Sequence, residues 1–426
     1  MRCRDDRPER EEADMIFTRI IETGVPVQRL LIAAIGLLIC SSLGASATAR
    51  TIRVPSEYGK IQQAIDVAVD GDVVVIAPGT YREMGISFLG KKIMVRGVDP
   101  WDDEVVQATT VVGDTTSPDR HFVFESGEDS MSVLAGIRLS GENQVFDGGT
   151  GGISVSASSP TIALCWIEGC HAPSDQIIEE GGGAWVGPNS APLFVRCWFQ
   201  RNYGYHAGGG IRVKGPAQPR ILACGFEENR VTSLGGGVAC TSSAFTVANC
   251  LFIANELCGG ANQGGGIRVG DGGGTIVNCT FYGNAEVCIS EDHGIYMKWD
   301  STAVNNCVLV GDYPTVKQRD NSQSTISYTN LPEGWPGPGN ISDSPRLQTV
   351  REWPFVLGAG SPCIDAGDPS IEDGVRWPTQ YRNGSRSDMG AYGGPYSGLW
   401  LGRWPRGLEW LKGHLGEVRE AGGEAH

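Results

Sequence analysis

The chain has 426 residues, with 49 Asp and Glu against 34 Lys and Arg, a net charge of −15 and a pI near 4.9. Such a surface repels phosphate backbones and acidic lipid, which argues against nucleic acid and anionic membranes as partners. Its 61 glycines accompany an ordinary apolar fraction of 40%, so they mark many turns in a folded chain rather than disorder.

Residues 1–49 differ from the rest. After a charged MRCRDDRPEREEAD, with Met15 an alternative start, an apolar run from Leu30 to Cys40 leads to small residues ending Ala47-Thr48-Ala49. This arrangement predicts a signal peptide cleaved before Arg50, hence a secreted or cell-surface protein. The apolar run is about half of the ~20 residues a membrane span needs, so no transmembrane segment is expected after cleavage. A lipid anchor on Cys40 is disfavoured by Ile39, where a small residue is required.

Residues 50–395 are expected to form one solenoid. Ser56 is the expected N-cap of a short helix that carries Ile61, Ala64, Ile65 and Ala68 on one face and stops at Gly71. Such a helix closes the solenoid end, where bare strand edges invite aggregation. DVVVIAPGTY reads as a buried strand and turn, and ISFLGKKIMVRG and VLAGIRLSG as less regular early coils.

From Gly152 to Gly294 the chain repeats a Gly-rich turn and a short alternating strand: GGISV, GGGAWV, GGGIRV, GGGVAC, GGGIRV and HGIYM. The last glycines fall at 152, 183, 210, 237, 266 and 294, steps of 31, 27, 27, 29 and 28. A fixed step in this range is the mark of stacked repeats. Apolar residues alternate without a 3.6-residue period, so the units are strands and the fold class is all-β, a parallel β-helix.

A second ladder keeps step, with cysteines at 165, 197, 224, 250, 279 and 307, each followed two residues later by Ile167, Phe199, Phe226, Phe252, Phe281 or Leu309. Cysteine and its bulky neighbour share the inward face, so the six are expected to form a column of small core residues rather than a disulfide framework. No CxxC pair or His cluster accompanies them, which argues against metal. Eleven cysteines follow Arg50, an odd number, and Cys258 and Cys288 in equivalent turns are the best disulfide candidates.

The outward positions of the Gly-following strands form two columns. The first reads Ser154, Trp185, Arg212, Ala239, Arg268, Tyr296 and the second Ser156, Gly187, Lys214, Thr241, Gly270, Lys298. Two aromatics and four cations thus share one face of an acidic protein. Trp185, Arg212, Lys214, Arg268, Tyr296 and Lys298 are the candidate substrate-binding residues, because rings stack on sugars and guanidinium forks onto carboxylates. A solvated β-face of mixed polarity is the alternative.

These repeats, with the opening TIRVPSEYGKIQQAIDVAVDGDVVVIAPGTYRE and the later SPCIDAGDP and SDMGAYGG, resemble the right-handed parallel β-helix proteins of the pectate-lyase-like superfamily. The nearest resemblance is to its secreted bacterial surface branch, similar to polymorphic outer-membrane protein repeats. It covers roughly Thr51 to Pro395 and is specific for fold but weak for chemistry. Any activity it implies is that of a polysaccharide lyase on uronate polymers, with a carboxylate-held Ca²⁺ and an Arg or Lys base. Arg212, Arg268 and Lys298 are candidate bases, yet the two columns hold no Asp or Glu. Carboxylates appear only in flanking turns, at Glu179, Glu180, Asp271, Glu291 and Asp292, with His293 a further isolated candidate base. The paired aspartates of a β-helix glycosidase are not evident.

Asp343, Asp365, Asp368 and Asp388 form the remaining polar group, open to two readings: a structural Ca²⁺ site, or carboxylates bonding their own turns. No other cofactor is expected. Residues 396–426 form a tail with Trp400, Trp404 and Trp410 and with Leu408, Leu411 and Leu415 at helical spacing, suited to cap the last coil or to meet a partner. Together the expectation is a surface β-helix that binds extracellular polysaccharide or another surface, with a uronate lyase and a purely structural or adhesive protein as alternatives.

Overall fold

The computed structural model describes residues 49–113, 120–141, 151–172, 181–259, 263–284, 295–298, 300–311, 315–319, 322–350, 353–375, 384 and 386–415. The expected signal peptide therefore lies outside the described residues, as do Glu179, Glu180, Cys288, Glu291, Asp292 and His293. From Arg50 onward the chain is a parallel β-solenoid. Its first sheet has eleven strands, from Thr51–Val54 to Thr325–Ser327. The second and third have nine each, from Gly79–Arg82 to Val308–Val310 and from Ile86–Ser87 to Val316–Arg319. Every pairing within these sheets is parallel, and a small three-stranded sheet joins the second to the third in the middle coils. A hairpin of Leu347–Val350 and Trp353–Leu357 stands apart and is antiparallel.

Both ladders are stacked as the period requires. Ile167, Phe199, Phe226, Phe252, Phe281 and Leu309 are register partners in successive coils. The four phenylalanine rings stack at 5.1, 4.8 and 4.6 Å, with planes 5° apart. Strand spacing of about 4.8 Å sets that distance. The six ladder cysteines are buried free thiols. Their S–H groups reach backbone carbonyls, as Cys250 Sγ does to Ala248 O at 3.3 Å. Burial pushes Cys165, Cys250 and Cys307 well above the ordinary thiol range, so they behave as small apolar residues.

Between first and second sheets the corner is a single left-handed residue just before each cysteine. Leu164, Arg196, Ala223, Asn249, Asn278 and Asn306 have φ of 54, 53, 49, 56, 49 and 54°. Only Asn takes this conformation readily. After the second sheet a column of buried asparagines crosses the coils. Asn202 donates to Asn229, Asn229 to Asn255 and Asn255 to Asn284, at 2.9, 2.8 and 2.8 Å.

Helix α1, Ile61–Val67, buries Ile61, Ala64 and Ile65 in the core. Ser56 is not its N-cap. Ser56 lies in a turn, Lys60 precedes the helix without a side-chain bond, and the Glu83 carboxylate accepts the amides of Ile61 and Gln62 instead. A longer-range acceptor thus replaces the local one, and the helix ends at Val67, four residues before Gly71.

The tail does not cap the last coil. Its 3₁₀ turn, Ser397–Leu401, and helix α2, Glu409–Leu415, lie along the flank of the solenoid. Leu399, Trp400, Leu408, Leu411 and Leu415 join one apolar cluster with Leu164, Leu193, Leu222 and Leu251. Trp400 Nε1 donates to Asn249 O at 3.0 Å, and Trp404 meets Trp101 at 5.6 Å. The corner asparagines hold the segment before it: Asn249 donates to Ala391 O, Asn278 to Asp388 O and Asn306 to Ser387 Oγ. A flank rich in outward Leu, Val and Ala attracts the tail more strongly than a sheet end.

Candidate functional site

The two outward columns of the third sheet run as the alternation requires. Ser154, Trp185, Arg212, Ala239, Arg268 and Tyr296 are successive register partners, and Lys214, Thr241, Gly270 and Lys298 follow in the second column. They are far less open than a solvated face. Arg212 is 1% exposed, Arg268 9% and Tyr296 5%, while Trp185 and Lys298 are half-buried and Lys214 is exposed.

Small residues explain how such large groups fit. Trp185 folds over Gly187 and Arg268 over Gly270, where an added Cβ would come within 2.3 Å of the indole and 2.6 Å of the guanidinium. Ala239 leaves the gap between Arg212 and Arg268. Across it Arg212 Nη1 and Arg268 Nη1 both donate to Thr241 Oγ1, each at 2.8 Å. Arg212 also donates to Val213 O at 3.2 Å. Burial, then the neighbouring Arg212, moves the Arg268 pKa down, against the weaker pull of Asp271. Two guanidinium groups thus share one hydroxyl oxygen, on columns that hold no Asp or Glu among the described residues.

The columns extend beyond the residues legible in the repeat. Tyr296 pairs with Lys317 and Lys298 with Arg319 in the final strand. The step from Tyr296 to Lys317 is 21 residues, shorter than the others, and TVKQR lacks the glycine signature. Alternation in that segment was the one available signal. Burial and then Arg319 lower the pKa of Lys317.

Only Asp368 bonds its own turn; Asp365, Asp388 and Asp373 accept backbone amides 15 to 23 residues away and tie separate turns together. Asp365 accepts from Gly384 N at 2.8 Å, Asp368 from Ser370 N at 2.8 Å, Asp388 from Asp365 N at 2.7 Å, and Asp373 from Asp388 N at 3.1 Å. Among the described residues no group of three or more His, Cys, Asp or Glu is placed to hold a metal. The described aspartates do not fit a Ca²⁺ site. Cys258 is exposed, and its expected partner lies outside the described residues.

The fold and the repeat define a right-handed β-helix: residues 126–267 match the family described as the right handed beta helix region. Among solved structures the chain is similar to the pectate lyase Pel9A, at 14% identity over 81% of this chain and 96% of that one, with a TM-score of 0.39. It is also similar to the pectin methylesterase from Aspergillus niger, at 14% identity over 74% and 92%, with a TM-score of 0.34. No curated protein matches the chain.

Proposed function

We propose that this protein is a secreted or cell-surface β-helix that binds an acidic extracellular polysaccharide along its third sheet. The supporting observation is the convergence of Arg212 and Arg268 on Thr241 Oγ1, continued along the same face by Lys298, Lys317 and Arg319. A uronate or sulfate group on this face meets the more open Lys214 and Lys298, with the buried Arg212 and Arg268 adding positive charge from behind. Trp185, half-buried on the same column, supplies a ring for a sugar face, whereas Tyr296 is buried. In this reading α1 closes the first coil, the Leu30–Cys40 segment directs export, and the Gly-, Cys- and Asn-rich repeats support a likeness to the surface branch of β-helix proteins.

Titration of the mature protein with polygalacturonate and with alginate, at low and high salt, tests the reading. Binding should weaken with salt, and Arg268→Gln or Trp185→Ala should each lower affinity roughly tenfold to hundredfold, as loss of a contact of about 1–3 kcal/mol implies. Unchanged affinity in both variants would return the face to a solvated surface. Appearance of unsaturated uronate during the titration would replace binding by lyase activity.

A further inference from the structure

We propose a second glycan site, on the outer face of the second sheet, that takes a neutral pyranose chain. Trp166 and Trp198 are register partners in adjacent coils. Their ring centroids lie 6.3 Å apart, and both side chains remain partly exposed. Trp198 lies flat over Gly225, the next residue of the column, where a Cβ would come within 2.2 Å of its ring. The glycine lets the indole lie against the sheet as a platform instead of standing off it. The face of an indole carries negative charge density, which attracts the C–H bonds on the flat side of a pyranose ring.

The flanking column supplies polar groups one coil apart, in the order Glu168, Gln200, Glu227. Arg138 and Arg201 both pair with Glu168. Burial would raise the Glu168 pKa, but the two guanidiniums outweigh it and hold the group below the ordinary carboxylate range. Glu227 accepts from Trp198 Nε1 at 3.1 Å and Gln200 Nε2 at 2.9 Å, both on Oε2. Glu227 Oε1 and Gln200 Oε1 take no hydrogen bond from the described residues. They are acceptors beside the ring, where sugar hydroxyls donate. Two arginines against two glutamates leave the patch without net charge, and Glu227 repels uronates. A neutral chain running along the solenoid axis meets an indole in each of two adjacent coils, with acceptors at its edge. This site does not depend on the acidic-polymer reading of the third sheet.

The test is a binding titration of the mature protein with neutral hexasaccharides of β-1,4-linked glucose, mannose and xylose, followed by tryptophan fluorescence. At least one should bind and shift the emission. Trp166→Ala and Trp198→Ala should each lower that affinity tenfold or more, and Glu227→Gln by a smaller factor. Thermal unfolding of each variant identifies any that fail to fold. Trp166→Ala keeps the test valid if Trp198→Ala is one of them, because Trp166 does not cover Gly225. Lys60→Gln, exposed and on neither face, should bind the neutral chain unchanged. Absence of binding by all three sugars, or unaltered affinity in the folded tryptophan variants, would overturn the proposal. Loss of polyuronate binding in those variants, without neutral binding, would overturn its ligand class.

Discussion

Inside the solenoid three columns repeat one residue type over four or more coils, whereas the outward columns of the third sheet change type from coil to coil. Phe199, Phe226, Phe252 and Phe281 stack in register, as do the thiols and Asn202, Asn229, Asn255 and Asn284. The outward columns change from Ser to Trp to Arg to Ala within four coils. Stacking at strand spacing rewards identity, because each buried group finds its own kind at contact distance. The outer faces are released from that constraint and can differ from sheet to sheet, cationic on the third and aromatic with balanced charge on the second.

Breaking an inner column should therefore cost most. Phe226→Ala removes the ring between two stacked neighbours, and a loss of about 3–5 kcal/mol is expected from denaturant unfolding. Asn229→Ala takes the acceptor from Asn202 N and Asn202 Nδ2 and a donor from Phe199 O, while Asn255 Oδ1 keeps the residue-229 amide, with an expected loss of ~3 kcal/mol.

One coil departs from the inner rule and sharpens it. At the position of Gly152 stands His121, fully buried, its ring nitrogens 3.0 Å from Gly151 O and 3.1 Å from Ser140 O. Burial lowers its pKa to about 4, against the pull of those carbonyls. The unfolded chain thus binds the proton first, so this stability is complete above the ordinary pKa of about 6.5 and falls as pH drops toward 4, by ~3 kcal/mol. Asp373, raised by burial to about 6, acts in the opposite sense, stabilising as pH falls from 6 toward its ordinary value. Asp373→Asn should steepen the loss on acidification relative to wild type. An equal or shallower slope would reverse one of the two assignments.

Cys250→Ser places a hydroxyl in the thiol column and should cost about 1–3 kcal/mol, with Cys250→Ala costing less. The smallest effect belongs outside. Arg268→Gln relieves the like-charge contact with Arg212 but gives up the bond to Thr241 Oγ1, and the unfolding free energy should change by about 1 kcal/mol or less. A large loss would make the outer arginines part of the framework.

The inner columns were legible because glycine and cysteine recur at a nearly fixed step. The corner residues were not, since Leu164, Arg196 and Ala223 carry no local preference for a left-handed backbone, and the coil imposes it. Burial of Arg212 and Tyr296 was equally hidden. Alternation assigns a side chain to the outer face but says nothing of what lies over it. Trp166 and Trp198 follow successive ladder cysteines in plain view, yet their meaning depends on Gly225 two coils on, a relation that register alone reveals. The Glu83 cap and the tail on the flank both join residues far apart in sequence.

That tail has a consequence for how the protein can assemble and evolve. A free array of coils frays from its ends and tolerates the gain or loss of a repeat, because each unit meets only its neighbours. Here the strap from Ser387 to Leu415 grips Asn306, Asn278 and Asn249 in order, and its Trp404 meets Trp101. It acts as a ruler. Adding or removing a coil in the span it measures would put every grip out of register, so the repeat number there is fixed. Its three asparagine grips close loops of 81, 110 and 142 residues, so the coils cannot be locked together until the segment from Ser387 has been made.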